Sequence, residues 1–306
     1  MCKLNSPQFT DETAARQYLE AIRWPHGPVC PHCGTVDKAY ATKRPGKYRC
    51  ASKECRKDFT VKVGTVFESS HIKLHKWLLA AYLLCSSKKG ISSNQLARAL
   101  GVTYKTAWFM THRIREAMRT GSFSPVGGSG KTVEADETYI GLKKGHKKAR
   151  AGYGHKCAVF SLVERGGMVR SFHVDQATVS YVVPLLRENV SRESRLMTDE
   201  SRLYWKVGAE YAAHDAVEHG KDEYVRGDIH TNTVGGYFSI FKRGMKGIYQ
   251  HCGENHPHRY VAEFDFRYNN RVRFSIDDEQ RTRNVLKQIE GKRLTYRRPH
   301  GQESHA

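Results

Sequence analysis

The sequence predicts a multidomain α/β protein, in which a metal-binding ribbon and a helical domain precede a larger domain built on a sheet. Four of the eight cysteines cluster in the first quarter of the chain, a pattern typical of a metal ribbon. Three helical patterns follow within residues 71–119, and strand patterns alternate with helical ones after residue 131. A chain of 306 residues is long enough for two or three such domains.

Composition and pattern divide the chain into six segments. They are an N-terminal helix at 1–27, a zinc ribbon at 28–62, a helix-turn-helix domain at 71–120, a linker at 121–131, an α/β sheet domain at 132–275 and a basic tail at 276–306. The linker, GSFSPVGGSGK, is rich in Gly, Ser and Pro, which favours flexible or turning backbone.

The charge of the chain restricts its partners. Lys and Arg (51) outnumber Asp and Glu (31), so the formal net charge is +20 at pH 7. A chain this basic usually binds a polyanion, most often nucleic acid; membrane surfaces and solubility alone are the alternatives. No stretch approaches the ~20 apolar residues of a membrane span, and the N-terminus lacks the apolar region of a signal peptide. We therefore expect a cytoplasmic protein without membrane contact.

The cysteine cluster has the spacing of a zinc ribbon. Cys30 and Cys33 are two residues apart in CPHCG, and Cys50 and Cys55 form a wider second pair sixteen residues later. Zinc suits four thiolates because it prefers tetrahedral sulfur ligation, and a chain without a secretory signal favours a metal site over disulfides. We predict one structural Zn²⁺ on these four cysteines. His32 as a substitute ligand and four buried free cysteines are the alternatives.

Residues 92–119 have the spacing of a helix-turn-helix. Ser92 or Ser93 can cap the first helix, Gly101 can form the turn and Thr103 can cap the second helix. Apolar residues of the second helix fall on one stripe, so its basic side chains are expected to face outward, where a recognition helix meets DNA. These side chains are Lys105, His112, Arg115 and Arg119. The alternative is a basic helical hairpin that only packs.

The segment after the linker predicts a sheet with several helices. The strand patterns lie at 132–140, 156–164, 168–175 and 195–199, and the helical patterns lie at 180–189, 201–211, 234–248 and 258–271. Strands followed by helices and a further strand are typical of an α/β domain.

Two aspartates lie where α/β domains place their active sites. Asp136 lies within the first predicted strand and Asp199 closes the fourth, and carboxylates near the carboxyl ends of strands gather at one sheet edge. The helix predicted at 234–248 has an apolar stripe, and position 235 and Lys242 lie about 80–100° away from it. Both positions are therefore expected beside the buried surface, facing the edge that carries the aspartates.

The loop at 141–156, GLKKGHKKARAGYGHK, is basic and contains no acidic residue. Because it follows the strand of Asp136, we expect its lysines to contact a DNA backbone. They are Lys143, Lys144, Lys147 and Lys148. The alternative is a solvated hairpin.

Several longer strings resemble a single family. They are CPHCG, YRC, VGTVFESSHIKLHKW, VEADETYIG, HTNTV with FSIFKRGMKGIY, and HRYVAEFDFRYNNR. Together they span nearly the whole chain and resemble bacterial insertion-sequence transposases of the ISXO2-like group. The resemblance implies an RNase H-like catalytic domain with an acidic triad, whose first two members match Asp136 and Asp199. It places the third member in the HTNT string, where related enzymes use Glu or Asn, and matches a downstream Lys to Lys242.

The sequence departs from the family pattern at Gly235, where the run after HTNTV usually begins with Glu. A glycine has no side chain with which to bind a cation. Either the amide oxygen of Asn232 completes the site, or this copy is catalytically weakened.

The resemblance also implies the chemistry and the partners. Two Mg²⁺ or Mn²⁺ ions, held by Asp136, Asp199 and Asn232, would support cleavage at the ends of an insertion sequence and strand transfer without a covalent enzyme intermediate. The implied partners are double-stranded DNA, as terminal inverted repeats and target, and further copies of the chain on paired ends, associated with the bacterial nucleoid. Two alternatives stay open: a decayed or domesticated copy that only binds DNA, and a nuclease of the same fold that cleaves but never joins.

Overall fold

The chain forms two compact units. The computed structural model describes residues 3–119, 121, 124–143, 145–147 and 152–295. The first unit combines Met1–Met118 with Ser275–Ala306, and the second is Arg119–Phe274. Within the described ranges, every helix is too short or too polar to cross a membrane.

Helices and strands occur in both units. In chain order the α-helices are α1 (Glu12–Arg23), α2 (Leu74–Ser86), α3 (Ser93–Leu100), α4 (Tyr104–Met118), α5 (Val179–Asn189), α6 (Trp205–Gly208), α7 (Asn232–Gly244), α8 (Pro257–Asn269) and α9 (Asp278–Lys287). The strands are β1 (Ala39–Ala41), β2 (Tyr48–Cys50), β3 (Asp58–Phe59), β4 (Thr132–Ile140), β5 (Cys157–Glu164), β6 (Val169–Val174), β7 (Arg195–Asp199), β8 (Ala213–Val217), β9 (Val225–Arg226) and β10 (Ile229–His230). A π-helical turn, Met245–Tyr249, extends α7.

The ribbon of the first unit is a small antiparallel sheet. β2 pairs with β1 on one side and with β3 on the other. Trp24 packs edge-on against Tyr48 and Phe59 beside this sheet. Since three short strands can bury little apolar surface, a ribbon of this size depends on a bound metal for its stability.

The three helices predicted after the ribbon are α2, α3 and α4. The side chain of Ser92 accepts the N–H of Gln95 (3.1 Å), and the hydroxyl of Thr103 accepts the N–H of Thr106 (3.2 Å). Gly101 ends α3 with a left-handed φ of 59°, a conformation that glycine adopts without a Cβ clash. The predicted caps and turn are therefore present.

Two of the four basic side chains that were predicted to face outward are exposed. Lys105 and Arg119 are exposed, but His112 and Arg115 are each only 1 % exposed. The imidazole of His112 lies edge-on against the ring of Trp108, with 4.2 Å between centroids. The prediction that His112 and Arg115 face outward is wrong, because α4 is buried on more than its apolar stripe.

The predicted basic tail is instead part of the first unit. α9 packs against α1, α2 and α4. Further along, Lys292 Nζ donates to the carbonyl of Ala117 (2.8 Å), and the carbonyl of Leu294 accepts from Arg113 Nε (3.1 Å). The tail prediction is wrong for this segment, because its side chains find partners on helices far away in the sequence.

The second unit is built on a five-stranded sheet with the order β6-β5-β4-β7-β8. β4, β5 and β6 form an antiparallel meander, while β7 and then β8 extend the sheet in parallel. The four strands predicted from the sequence are all present within one residue of their expected bounds. This mixed sheet, centred on β4, agrees with the RNase H-like α/β domain that the resemblance implies.

Apolar side chains cover both faces of this sheet. One core cluster packs Val133 and Ala135 of β4 against Leu186 of α5. The cluster on the other face packs Val159 of β5 against Phe241 of α7. The alternation of β4 between these two faces determines which of its side chains meet α7.

Residues 201–211 do not form the predicted helix. Only the four residues of α6 are helical there, and the chain continues into β8, which the sequence analysis did not predict. β8 lies at an edge of the sheet, and most of its residues are half-exposed. Its apolar alternation is therefore too weak to mark a strand.

The predicted linker partly packs into the second unit. The N–H of Val126 donates to the carbonyl of Asn189 (2.8 Å), and the carbonyl of Val126 accepts from Ser191 (2.9 Å). Gly127 has a φ of +89°, and a Cβ added there would lie 2.0 Å from Ser194 Oγ. A glycine is required at this position because the backbone approaches Ser194 so closely. The Gly-rich composition of the predicted linker therefore marks a tight turn within the second unit.

Candidate active site and zinc centre

Asp136 and Asp199 lie side by side on neighbouring strands. The parallel register pairs Glu134 of β4 with Met197 of β7, so Asp136 and Asp199 each lie two residues beyond a paired position on neighbouring strands. Neighbouring strands are about 4.8 Å apart, and residues two apart share one face of a sheet. The two aspartates therefore project from the same face as Glu134.

Several neighbouring groups act on the carboxylate of Asp136 and change its pKa. Burial and the charge of Asp199 raise the pKa of Asp136 to about 7, whereas the N–H of Glu137, 2.7 Å from Oδ1, and the ammonium of Lys242 lower it. Lys242 of α7 therefore acts electrostatically on Asp136, as its position on the predicted helix suggested. Because the ionised form of Asp136 is disfavoured, a cation bound here would stabilise it.

Glu137 follows Asp136 and projects from the opposite face of β4. The hydroxyl of Tyr204 donates to its carboxylate, yet burial still raises the pKa of Glu137 to about 8. Tyr204 is fully buried. No motif in the sequence marks Tyr204, whose one local signal is its position shortly after Asp199.

Glu134 is a buried carboxylate that anchors α7. One of its oxygens accepts the N–H groups of Thr233 (2.8 Å) and Val234 (2.9 Å). The other accepts the hydroxyl of Thr233 (2.8 Å) and Nε of Arg165 (2.6 Å). The N-cap residue, Thr231, makes no side-chain capping hydrogen bond. A strand residue therefore supplies the cap and opposes the positive end of the helix dipole.

Arg165 extends this anchor to the strand that precedes α7. Its guanidinium donates to the carbonyls of Asp228 and His230, both at 2.7 Å, and to Nδ1 of His230 at 3.1 Å. Glu134 and Arg165 together hold β10 and the first turn of α7 against β4. No local sequence pattern marks Glu134, because its partners lie 31 and 99 residues away in the chain.

Asn232, the third predicted metal ligand, is the first residue of α7. It is exposed, and its N–H lies 3.3 Å from Nδ1 of His230. The next residue, Thr233, contacts Glu134, so the start of the helix lies beside β4. The role of Asn232 as a metal ligand stays a prediction.

The donor set at Asp136 and Asp199 suits a hard divalent cation. Carboxylate oxygens are the ligands that Mg²⁺ prefers, and it usually keeps several waters. Within the described part of the chain, the cysteine cluster alone gathers three or more His, Cys, Asp or Glu ligand atoms within 4.8 Å of one another. Among the described residues the two aspartates therefore have no third His, Cys, Asp or Glu ligand atom within that distance, and a further ligand would come from an amide, a phosphate or water.

The basic loop after β4 is partly described. Lys143 Nζ donates to the carbonyl of Asp175 (2.7 Å), and Lys147 is exposed. Lys144 and Lys148, also predicted to contact DNA, lie outside the described residues. Lys147 is therefore accessible, whereas Lys143 is tied to the main chain, and the contact of these lysines with DNA stays a prediction.

The four predicted zinc ligands meet in the ribbon. The Sγ atoms of Cys30, Cys33, Cys50 and Cys55 all lie within 4.8 Å of one another. Cys30 lies 3.8 Å from Cys55, and Cys33 lies 3.7 Å from Cys50. Tetrahedral zinc with Zn–S bonds of about 2.3 Å separates its sulfurs by about 3.8 Å. His32 is exposed and lies near a backbone carbonyl, so the cluster fits one structural Zn²⁺ held by four thiolates.

Replacing Cys50 by Ser should remove the zinc and unfold the ribbon. Cys50 is 1 % exposed, and a buried hydroxyl is a poor substitute for a zinc-bound thiolate. We expect the zinc content, measured by inductively coupled plasma mass spectrometry, to fall from about one ion per chain to nearly none. Limited proteolysis should then cut between β1 and β3. Cys252→Ser, outside the cluster, should keep its zinc; full zinc content in the Cys50 variant would contradict the ligand assignment.

Two segments of the chain match known protein families. Residues 10–58 match the transposase zinc-ribbon domain, and residues 127–269 match the ISXO2-like transposase domain. The chain is 31 % identical over 275 residues to an uncharacterized protein in transposable element ISH50 of Halobacterium salinarum, and the match covers 83 % of this chain and 87 % of that protein.

Among solved structures, the chain is similar to one in the cryo-electron microscopy structure of the simian T-cell lymphotropic virus intasome in complex with PP2A regulatory subunit B56 gamma. The identity is 15 % and the TM-score 0.28, and the match covers 56 % of this chain and 63 % of that chain. The family assignment depends on the two domain matches and the ISH50 relative, which confirm the resemblance found in the sequence strings. The chain belongs to the ISXO2-like family of insertion-sequence transposases.

Proposed function

We propose that this protein is a DNA transposase that cuts the ends of an insertion sequence and joins them to target DNA, with Asp136 and Asp199 at its catalytic centre. Family membership supplies the reaction class. The observation that supports this centre is the position of the two aspartates on the paired strands β4 and β7, where the charges of Asp199 and Lys242 both act on the buried carboxylate of Asp136. Paired carboxylates beside a cation suit phosphodiester chemistry, which needs positive charge around the scissile phosphate.

Each residue of this site would have a different role. Asp136, Asp199 and Asn232 would hold two Mg²⁺ or Mn²⁺ ions, which would polarise the phosphate and activate the attacking water or 3′-hydroxyl. Lys242 would donate to a non-bridging phosphate oxygen, since its ammonium is a compact cation with three donors. Glu134 would keep the start of α7 in a fixed position beside the aspartates.

Exposed basic residues would hold the DNA outside the catalytic centre. Lys105 and Arg119 would contact the duplex as part of a helix-turn-helix, and Lys147 would contact the backbone near the active site. Such contacts weaken steeply with salt because each releases a counterion. We further propose that the protein acts on paired element ends as a homo-oligomer, in the nucleoid of the bacterial cytoplasm.

A cleavage and joining assay tests this proposal. The purified protein is incubated with labelled DNA carrying the terminal repeats of its own element, a target plasmid and Mg²⁺. We expect a cut that leaves a 3′-hydroxyl at the element end, followed by joined product, and neither product when Ca²⁺ replaces Mg²⁺. Cleavage without joining would identify a nuclease of the same fold, and specific binding without cleavage would contradict the transposase proposal.

Gly235 favours a second candidate, a copy that binds DNA without cutting it. The glycine stands where the family usually has Glu, and an exposed carboxylate at this point of α7 would share a helix face with Lys242. Without it, Asn232 remains as the oxygen donor from α7. The two candidate functions therefore differ in whether the amide of Asn232 is a sufficient metal ligand for catalysis.

Gly235→Glu measures the contribution of this position, with Gly236→Glu as its matched control. A Cβ added at either glycine has no heavy atom within 4 Å, so both variants should fold and gain up to about 1 kcal/mol per site from helix propensity. We expect Gly235→Glu alone to raise the cleavage rate, by about tenfold or more. Equal rates in both variants would exclude position 235 from the site, and the urea midpoint checks the shared gain in stability.

A further inference from the structure

Two exposed aromatic side chains of the second unit lie on the Glu137 side of the sheet, across β4 from the side chain of Asp136. Trp205 is 65 % exposed and Tyr153 is 55 % exposed. Single exposed apolar side chains are common on protein surfaces. These two differ in that Trp205 follows the buried Tyr204, Tyr153 stacks on the half-buried Tyr139, and each has a basic group at its ring.

Trp205 is positioned by its neighbour Tyr204. Tyr204 is fully buried, and its hydroxyl donates to Glu137. Burial and the charges of Glu137, Asp136 and Asp199 raise the pKa of Tyr204 well above its ordinary value. The backbone at Trp205 is therefore fixed near the acidic residues while its indole lies in solvent.

Tyr153 reaches the same region through Tyr139. The two rings are stacked, with 4.5 Å between centroids and 16° between planes. Tyr139 belongs to β4, and burial together with the charges of Glu137, Asp136 and Asp199 raises its pKa. Tyr139 and Tyr204 also pack against the same core cluster, so both exposed rings extend from the face of the sheet that carries Glu137.

Each exposed ring lies beside a basic side chain. The guanidinium carbon of Arg202 is 5.5 Å from the centre of the Trp205 ring, and Lys156 Nζ is 4.9 Å from the centre of the Tyr153 ring. An aromatic face with an adjacent cation suits a nucleotide, because the ring stacks on the base and the cation attracts the phosphate. Paired bases inside a duplex cannot present their faces in this way.

We propose that Trp205 and Tyr153 stack on unpaired bases of the DNA strand that enters the active site, so that this site binds locally melted DNA ends. The proposal rests on the proposed function, since it takes the strand at Asp136 and Asp199 to be DNA. A protein partner that covers the indole is the competing occupant. The net charge of +20 and the basic side chains of Arg202 and Lys156 beside the two rings favour nucleic acid over a protein partner.

Binding to single strands and duplexes tests this inference without catalysis. Anisotropy of a labelled 20-residue oligo(dT) and of a 20-base-pair duplex is measured with Ca²⁺ in place of Mg²⁺. We expect Trp205→Ala to weaken single-strand binding by about 5- to 100-fold and duplex binding by less than about twofold. Tyr153→Ala should act in the same direction, and Trp205→Phe should restore most of the affinity. Tyr181→Ala, which removes an exposed ring from α5, is the matched control.

Intrinsic fluorescence checks that the base lies at the ring itself. Oligo(dT) should quench the emission component that is lost in Trp205→Phe. Unchanged single-strand affinity in Trp205→Ala, equal losses on both DNA forms, or a change of oligomeric state measured by sedimentation would each overturn the proposal. If the wild-type protein cleaves DNA normally and any of these results is found, only the base-stacking proposal is rejected. If single-strand binding behaves as expected but the protein does not cleave DNA, only the catalytic proposal is rejected.

Discussion

Asp136→Asn should raise the melting temperature of the metal-free protein while abolishing DNA cleavage. Burial and Asp199 raise the pKa of Asp136 in the folded protein to about 7 from its ordinary value of 3.8. A raised carboxyl pKa gives stability that is present below pH 4 and lost as the pH rises through 7. Asn cannot ionise and escapes that loss, so the variant should gain on the order of 1–3 kcal/mol at pH 8. Differential scanning calorimetry at pH 5 and pH 8 measures the gain, which should grow with pH.

The same substitution removes a charged metal ligand. Several kcal/mol of transition-state stabilisation should disappear, which corresponds to a loss of at least about 10³-fold in the cleavage rate. Asp199→Asn should lose activity equally. Asp175→Asn, at an exposed aspartate of the same unit, is the control that should leave both quantities unchanged. Cleavage by Asp136→Asn within tenfold of wild type would remove Asp136 from the catalytic centre.

Glu134→Ala should lower both the stability of the protein and its DNA-cleavage activity, whereas Asp136→Asn should raise the stability and lower the activity. The carboxylate of Glu134 is fully buried and accepts four hydrogen bonds, one of them from the guanidinium of Arg165. Removing it leaves a partly buried cation and two helix N–H groups without their acceptor. The expected cost is about 3–5 kcal/mol, a large part of the about 5–15 kcal/mol that stabilises a typical domain.

α7 has little local stability to offset this loss. Gly235 and Gly236 in its second turn each disfavour the helix by about 1 kcal/mol relative to Ala. Denaturant unfolding and hydrogen exchange at Thr233 and Val234 measure the effect. Glu188→Ala, at an exposed site on α5, is the control that should change stability by less than about 0.5 kcal/mol. A loss below 1 kcal/mol with normal exchange at α7 would contradict the anchoring role of Glu134.

Local sequence patterns predicted most of the secondary structure. Strand 132–140 alternates clearly and is bounded by turn residues, and Ser92, Gly101 and Thr103 are local signals for helix ends. The same holds for the cysteines, whose spacing alone places four sulfurs around one ion. The aspartates were identified because each lies in or at the end of a strand.

Features that depend on distant contacts escaped prediction. His112 and Arg115 are buried although their helix periodicity placed them outside, and a segment 175 residues away supplies a partner to Ala117 of the same helix. Glu134 appears as an ordinary acidic residue until Thr233 is brought to it by the fold. β8 was missed because an edge strand needs little apolar alternation.

The first unit is discontinuous in sequence, since α9 follows the entire second unit. During synthesis, α2 leaves the ribosome about 200 residues before its packing partner α9 is complete. At roughly 5–20 residues per second this interval is about 10–40 s, during which α1, α3 and α4 can pack on α2 but the part of its surface that α9 covers stays open. A gene copy truncated anywhere in the second unit would never close this core, so its product should be a substrate for chaperones and proteases even though its ribbon and first four helices are fully encoded.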